Sequence, residues 1–113
     1  MKKSDKKIEN SIREALTAVC ELALEDVAGF NWITHFVNYS DFPDSLSIVC
    51  VFASNDELAS VVSTHQDDYL RTLIREKLAA AGIPIANMRH QVSFDTQEAC
   101  DNQHDGKWHL RFS

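Results

Sequence analysis

Leu46-Ser47-Ile48-Val49-Cys50-Val51-Phe52-Ala53, followed at once by Ser54-Asn55-Asp56-Glu57, decides the fold of this chain. The first eight residues are nearly continuously apolar and rich in β-branched side chains, which reads as a strand. Both alternating sets are apolar, Leu46, Ile48, Cys50 and Phe52 on one and Val49 and Val51 on the other. Both faces therefore need cover over at least part of their length, which places this strand at the sheet centre. The next four residues form a capping box, in which the Ser54 hydroxyl accepts from the Glu57 amide and the Glu57 side chain reaches back. A central strand thus leads directly into a helix.

Upstream, Trp32 to Tyr39 is rich in aromatic and β-branched residues and reads as a second strand. Between the two strands, Ser40-Asp41-Phe42-Pro43-Asp44-Ser45 supplies turn chemistry, with Asp41 and Asp44 able to bond nearby backbone and Pro43 fixing its own φ. An antiparallel hairpin is the simplest arrangement. Earlier still, Ile8, Ile12, Leu16, Val19, Cys20, Ala23 and Val27 recur at spacings of three and four, the stripe of an amphipathic helix. This helix is expected from about Ser4 to Ala28, with Ser4 or Asp5 as its cap and Gly29 ending it in a left-handed conformation.

Downstream of the capping box, Leu58, Val61 and Val62 give a short helix its apolar face before Ser63-Thr64-His65-Gln66 interrupts it. Tyr69, Leu70, Leu73, Ile74, Leu78 and Ala81 then mark a further helix, with Gly82 and Pro84 as stop signals. Met88, His90, Val92 and Phe94 alternate as in a strand, and Asp95-Thr96-Gln97-Glu98 resembles the start of another short helix. Trp108, Leu110 and Phe112 alternate again after a turn at Gly106, which predicts a C-terminal strand. No internal repeat is present. The expected fold is a single small α+β domain, ordered α-β-β-α-α-β plus the C-terminal strand, with helices packed on a mostly antiparallel sheet.

At 113 residues the chain suffices for one core, and its 44% apolar and 25% charged composition is that of an ordinary globular domain. No uncharged apolar run approaches the roughly 18 residues needed to span a bilayer, and the charged start does not read as a signal peptide. Three widely spaced cysteines, Cys20, Cys50 and Cys100, do not suit the staple set of a secreted fold, so a reducing cytoplasm is the expected location. The net charge of −6 conceals an asymmetry, because Lys2, Lys3, Lys6 and Lys7 form a basic N-terminal extension or helix start. Residues 8–113 hold seven basic against sixteen acidic residues. So acidic a body repels a phosphate backbone unless its cations cluster.

The element order over residues 8–95 resembles that of the type II KH domain, a nucleic-acid-binding fold. The resemblance implies a GXXG loop between the two adjacent helices, where glycines let the backbone approach phosphates. Here the stretch is Val61-Val62-Ser63-Thr64-His65-Gln66-Asp67-Asp68-Tyr69, with Ser63 and Gln66 in the glycine positions. The signature is absent, and Asp67 and Asp68 bring negative charge where phosphates would lie. The segments VNYSDFPDSLSIVCVF, FDTQEAC and GKWHLRFS also resemble a family of short uncharacterised bacterial proteins, some loosely labelled Fis-type transcription regulators. A Fis-type reader needs a basic C-terminal helix-turn-helix, which this C-terminus does not offer. No DNA-binding residue is implied.

Cys100, His104 and His109, with Asp101 and Asp105 nearby, are the best metal candidates, but Cys-x₃-His-x₄-His is not a standard zinc spacing. They read as a polar loop, and no metal or cofactor is expected. Cys50 should be buried and inert, Cys20 sits in a core stripe, and Cys100 is expected to be the better exposed thiol. His35 falls within a strand, and His65 and His90 lack ligand partners at short spacing. The carboxylate pairs Glu25-Asp26, Asp56-Glu57 and Asp67-Asp68 suit helix starts and solvent faces. No P-loop, dinucleotide fingerprint, nucleophile elbow or metalloprotease helix occurs, so no catalytic residue is assigned. Trp32 and Phe36 are expected at the junction of the first helix with the sheet; Phe42 either folds over the core or marks a contact surface.

These features point to a non-enzymatic binding or regulatory module that acts through protein contacts, with another protein or a second copy as partner. The alternatives are a KH-like nucleic-acid or ribosome-associated factor using the N-terminal lysines, and a small enzyme using Cys100 and His104. Nucleic acid does not suit the acidic body, and no membrane partner is expected.

Overall fold

The structure is a computed structural model that describes residues 2–112. Helix α1 covers Lys3–Asp26 and buries the stripe Ile12, Ala15, Leu16, Val19 and Ala23. Lys2 rather than Ser4 or Asp5 occupies the capping position, without a side-chain bond, and Asp5 lies in the first turn, where its charge interacts favourably with the positive end of the helix dipole. The four lysines therefore open α1 instead of trailing from it. Gly29 follows at φ +85°, and a Cβ there would come within 2.7 Å of Glu57 Cβ. Only glycine lets the chain turn this tightly beside the next helix.

Strand β1 spans Phe30–Phe36 and β2 spans Ser47–Phe52, paired antiparallel with Ile33 opposite Cys50. The first strand ends before Tyr39 because Asn38 caps a 3₁₀ turn over Tyr39–Asp41, its side chain accepting from the Ser40 amide at 3.1 Å. Helix α2, Asn55–Ser63, starts at the expected capping box, with the Glu57 amide donating to Ser54 Oγ at 3.2 Å. The Glu57 carboxylate accepts from the Ser54 hydroxyl at 3.0 Å rather than from its backbone. Helix α3, Gln66–Ala80, ends where Gly82 takes φ +80°. The Ile83 amide then bonds Leu78 O at 2.8 Å and the Gly82 amide bonds Ala79 O at 3.0 Å, a Schellman closure that satisfies the last carbonyls.

Three short elements and one strand complete the chain: α4 at Met88–Gln91, β3 at Val92–Thr96, α5 at Gln97–His104 and α6 at Trp108–Arg111. The strand expected from Met88 onward begins only at Val92. Asn87 instead caps one helical turn, accepting from the His90 amide at 3.3 Å, and places Gln91 so that its Nε2 donates to Pro43 O and Leu46 O, each at 3.0 Å. The expected C-terminal strand is helix α6. In so short a window, residues i and i+4 share a side in both periodicities, and Trp108 and Phe112 meet at 5.2 Å on one helical turn.

The α+β class holds, and β2 is the central strand of a sheet ordered β1-β2-β3. The sheet is mixed rather than mostly antiparallel, since β3 runs parallel to β2 with Cys50 opposite Phe94. A parallel neighbour requires a long crossover, which α2, α3 and α4 provide. Ile48, Cys50 and Phe52 face the core formed with α1 and α3, including Ile12, Val19, Leu70, Ile74 and Leu78. Each such side chain contributes about 1.5–3 kcal/mol by leaving water. Val49 and Val51, also buried, point the other way, where Trp32 lies opposite Val51 and stacks edge-on against Trp108 at 4.9 Å. Phe36 meets Phe112 at the same distance. Trp32 and Phe36 thus cover the face opposite α1, which corrects their expected place at the α1 junction. Phe42 packs partly buried against the core. Among the described residues, no helix is long and apolar enough to cross a membrane.

Candidate functional site

The site begins with Glu9. Its position on α1 leaves the carboxylate facing the C-terminal end of β1, and the i,i+4 spacing brings Arg13 Nε to 3.0 Å from Oε1. His35 Nε2 donates to the same oxygen at 2.9 Å, and the Tyr39 hydroxyl donates to Oε2. Burial alone would raise the Glu9 carboxyl, but the hydrogen bonds from Tyr39 and Arg13 and the neighbouring His35 outweigh it and hold the group below its ordinary value. The Tyr39 phenol is pushed up to about 12, first by burial and then by its bond to Glu9. His35 is accordingly a satisfied histidine, held between strand and helix.

Beyond this cluster, α1 and β1 diverge to leave a groove of about 480 Å³ between Arg13, Leu16, Thr17, Cys20 and Glu21 on the helix and Ile33, Thr34 and His35 on the strand. A second cavity of about 480 Å³ continues it past Glu9 and Tyr39. The groove has an apolar floor of Leu16, Cys20 and Ile33 and a polar rim. β1 is an edge strand, and among the described residues no strand lies beside it on the side away from β2. Its sequence, Phe-Asn-Trp-Ile-Thr-His-Phe, carries no Lys, Arg, Asp, Glu or Pro to discourage pairing. The other edge, β3, holds Asp95 and has the Arg71 guanidinium over its Phe94 ring at 4.8 Å.

The sequence candidates for chemistry are scattered. Cys50 is fully buried and its thiol is pushed up to about 12, chiefly by burial. Cys100 is buried as well, contrary to its expected exposure, because it forms the inward face of α5, and burial raises its thiol too. Cys20 alone is partly open, on the groove wall, again with a raised thiol from burial. Thiols so disposed are poor nucleophiles. His104 Nδ1 meets Arg111 Nη1 at 3.3 Å instead of a cysteine, and the nearby cation opposes a metal ion. Among the described residues no three His, Cys, Asp or Glu side chains gather as a metal-ligand group, so Cys100, His104 and His109 are not brought together as one.

His65 and His90 are exposed, and His65 takes φ +62° in the link between α2 and α3. Arg111 closes the C-terminus onto the sheet, with Nε 2.5 Å from Asp95 Oδ2 and Nη2 2.8 Å from Oδ1, a bidentate pair. Sequence reasoning missed the Glu9, His35 and Tyr39 cluster, whose members lie 26 and 30 residues apart. The only local signal was the Glu9–Arg13 spacing. Comparison with protein-family models, curated proteins and solved structures finds no match to this chain.

Proposed function

We propose that this chain is a non-catalytic protein-contact module whose α1–β1 groove receives an extended segment of a net-basic partner protein. The observation that carries this reading is the uncharged, unpaired edge of β1 beside an open groove. An added strand would draw affinity from main-chain hydrogen bonds to β1 and specificity from alternate side chains entering the groove. Leu16, Cys20 and Ile33 offer an apolar seat for one of them. Arg13 is engaged by Glu9, whereas Glu21, also on the groove, forms no ion pair among the described residues. With the net charge of −6, this favours a cationic segment over a second copy of the chain.

Selection of displayed random peptides against the full chain tests the proposal. The expected winners are extended, net-positive and alternately apolar. Their binding should be lost in Thr17→Trp, which fills the groove, and kept in Val62→Lys on α2. Selection of acidic peptides, or equal binding to Thr17→Trp, would refute it.

A further inference from the structure

A second site is built by the cations of the body. Residues 8–113 contain seven basic side chains, of which three, Arg71, Arg75 and Arg89, surround one pair of adjoining cavities. Arg71 and Arg75 are one turn apart on α3, and Arg89 arrives from α4 after the Gly82 stop. The cavities measure about 460 and 320 Å³ and share Asp68, Arg71 and Arg89, with Thr72 adding a hydroxyl to the second. They share no residue with the α1–β1 groove.

The three guanidiniums are not equivalent. Arg71 is fixed, with Nη1 2.7 Å from Asp67 Oδ2 and 3.6 Å from Asp68 Oδ1, and its Cζ over the Phe94 ring, 4.8 Å from the centroid. Its Nε is buried without a hydrogen-bond partner. Arg75 and Arg89 are exposed, and among the described residues neither forms an ion pair. Three cations therefore face two carboxylates, and the two unpaired ones reach over the cavity from different elements. In a chain otherwise dominated by acids, such a concentration of cation is a local electrostatic focus.

We propose that this pocket binds a small phosphorylated metabolite, clamped between Arg75 and Arg89 with Arg71 as the fixed wall. Guanidinium forks match phosphate oxygens two at a time, which a lone lysine does not. The occupant is small because the surroundings reject a long polyanion. Asp67 and Asp68 rim the pocket, among the described residues no aromatic side chain lines either cavity, and the Phe94 ring beside Arg71 is covered by its guanidinium, so no platform is offered for stacking a base.

Titration of the isotope-labelled full chain with sodium pyrophosphate, at fixed ionic strength with sulfate as control, tests the site by NMR. Expected are saturable shifts of the Arg71, Arg75 and Arg89 side-chain N–H signals, with half-saturation below about 1 mM. Arg75→Ala and Arg89→Ala should each weaken binding about tenfold, the loss of one charge-assisted contact. Should Arg89→Ala disturb α4, Arg75→Gln gives the same reading from the intact helix α3. Absence of saturation, an undiminished affinity in the double variant, or shifts that vanish when Lys2, Lys3, Lys6 and Lys7 become Gln would overturn the proposal. So would labelled single-stranded RNA that binds through Arg75 and Arg89 more tightly than pyrophosphate, since the ligand would then be nucleic acid.

Discussion

Replacing Trp108 with alanine tests whether α6 closes the second face of the sheet. Trp108 is half-buried, lies edge-on to Trp32 at 4.9 Å and beside Phe112 at 5.2 Å, and its Nε1 donates to Gln97 Oε1 at 3.1 Å. A fully buried Trp removes about 150–250 Å² from water, so half of that at about 25 cal/mol per Å² gives roughly 2–3 kcal/mol. Each ring pair adds about 0.5–1.5 kcal/mol, while relaxation of the vacated site and solvation of Gln97 return part of the total. The expected destabilisation is therefore about 2–4 kcal/mol, read from urea unfolding by far-UV circular dichroism. In a double-mutant cycle with Trp32→Ala, the coupling should be about 1 kcal/mol. A loss below about 0.5 kcal/mol with no coupling would mean that α6 does not seal Val49 and Val51, and the account of this face would fail.

Cys50→Ser should destabilise the domain by about 1–3 kcal/mol, because a hydroxyl replaces an apolar thiol inside β2; an unchanged urea midpoint would contradict it. A thiol reagent should modify Cys20 well before Cys50 or Cys100, and mass spectrometry of the folded protein reads the order directly. Glu9 sits below its ordinary 4.5, so the stability it contributes is present above that value and lost as pH falls through its folded pKa. The stability gap between the native chain and Glu9→Gln should accordingly be widest near neutrality and close in acid; a gap that is independent of pH would refute the carboxylate's role. The chain with Lys2, Lys3, Lys6 and Lys7 changed to Gln should not bind labelled single-stranded RNA appreciably at about 150 mM salt, and micromolar binding there would restore a nucleic-acid reading.

Much of the fold was legible because its signals are local. The capping box at Ser54, the stripe of α1 and the stops at Gly82 and Pro84 each sit within one turn of the feature they specify, and the doubly apolar Leu46–Ala53 stretch named its own central place. Legibility ended where a pattern was shorter than the period it had to distinguish. Trp108, Leu110 and Phe112 fit a strand in isolation, whereas the helix turn lays Trp108 on the ring of Trp32, 76 positions earlier, and Phe112 on that of Phe36. Met88 and His90 alternate as a strand does, yet the buried amide of Gln91 claims two carbonyls of the hairpin loop, and that bond is invisible along the chain.

The candidate sites were less legible for a related reason. Glu9 belongs to the first helix, His35 to the first strand and Tyr39 to the turn after it, and no spacing among them has chemical meaning until α1 lies antiparallel to β1. Arg89 lies eighteen residues beyond Arg71, past a helix stop and a loop, so the ridge visible in Arg71 and Arg75 alone lacked its opposing wall. In both cases the helix contributes a pair at i and i+4, and the partner arrives from a distant segment. The edge of β1 follows the same logic. β2 marks itself as central, but that β1 is the outer strand beside it, and not one of two inner strands, depends on β3 joining β2, a parallel partner 44 residues downstream reached by the crossover through α2, α3 and α4. A charge-free edge therefore gains meaning only from topology: FNWITHF at a sheet centre would be ordinary core, and at the rim it is an open ladder beside a groove.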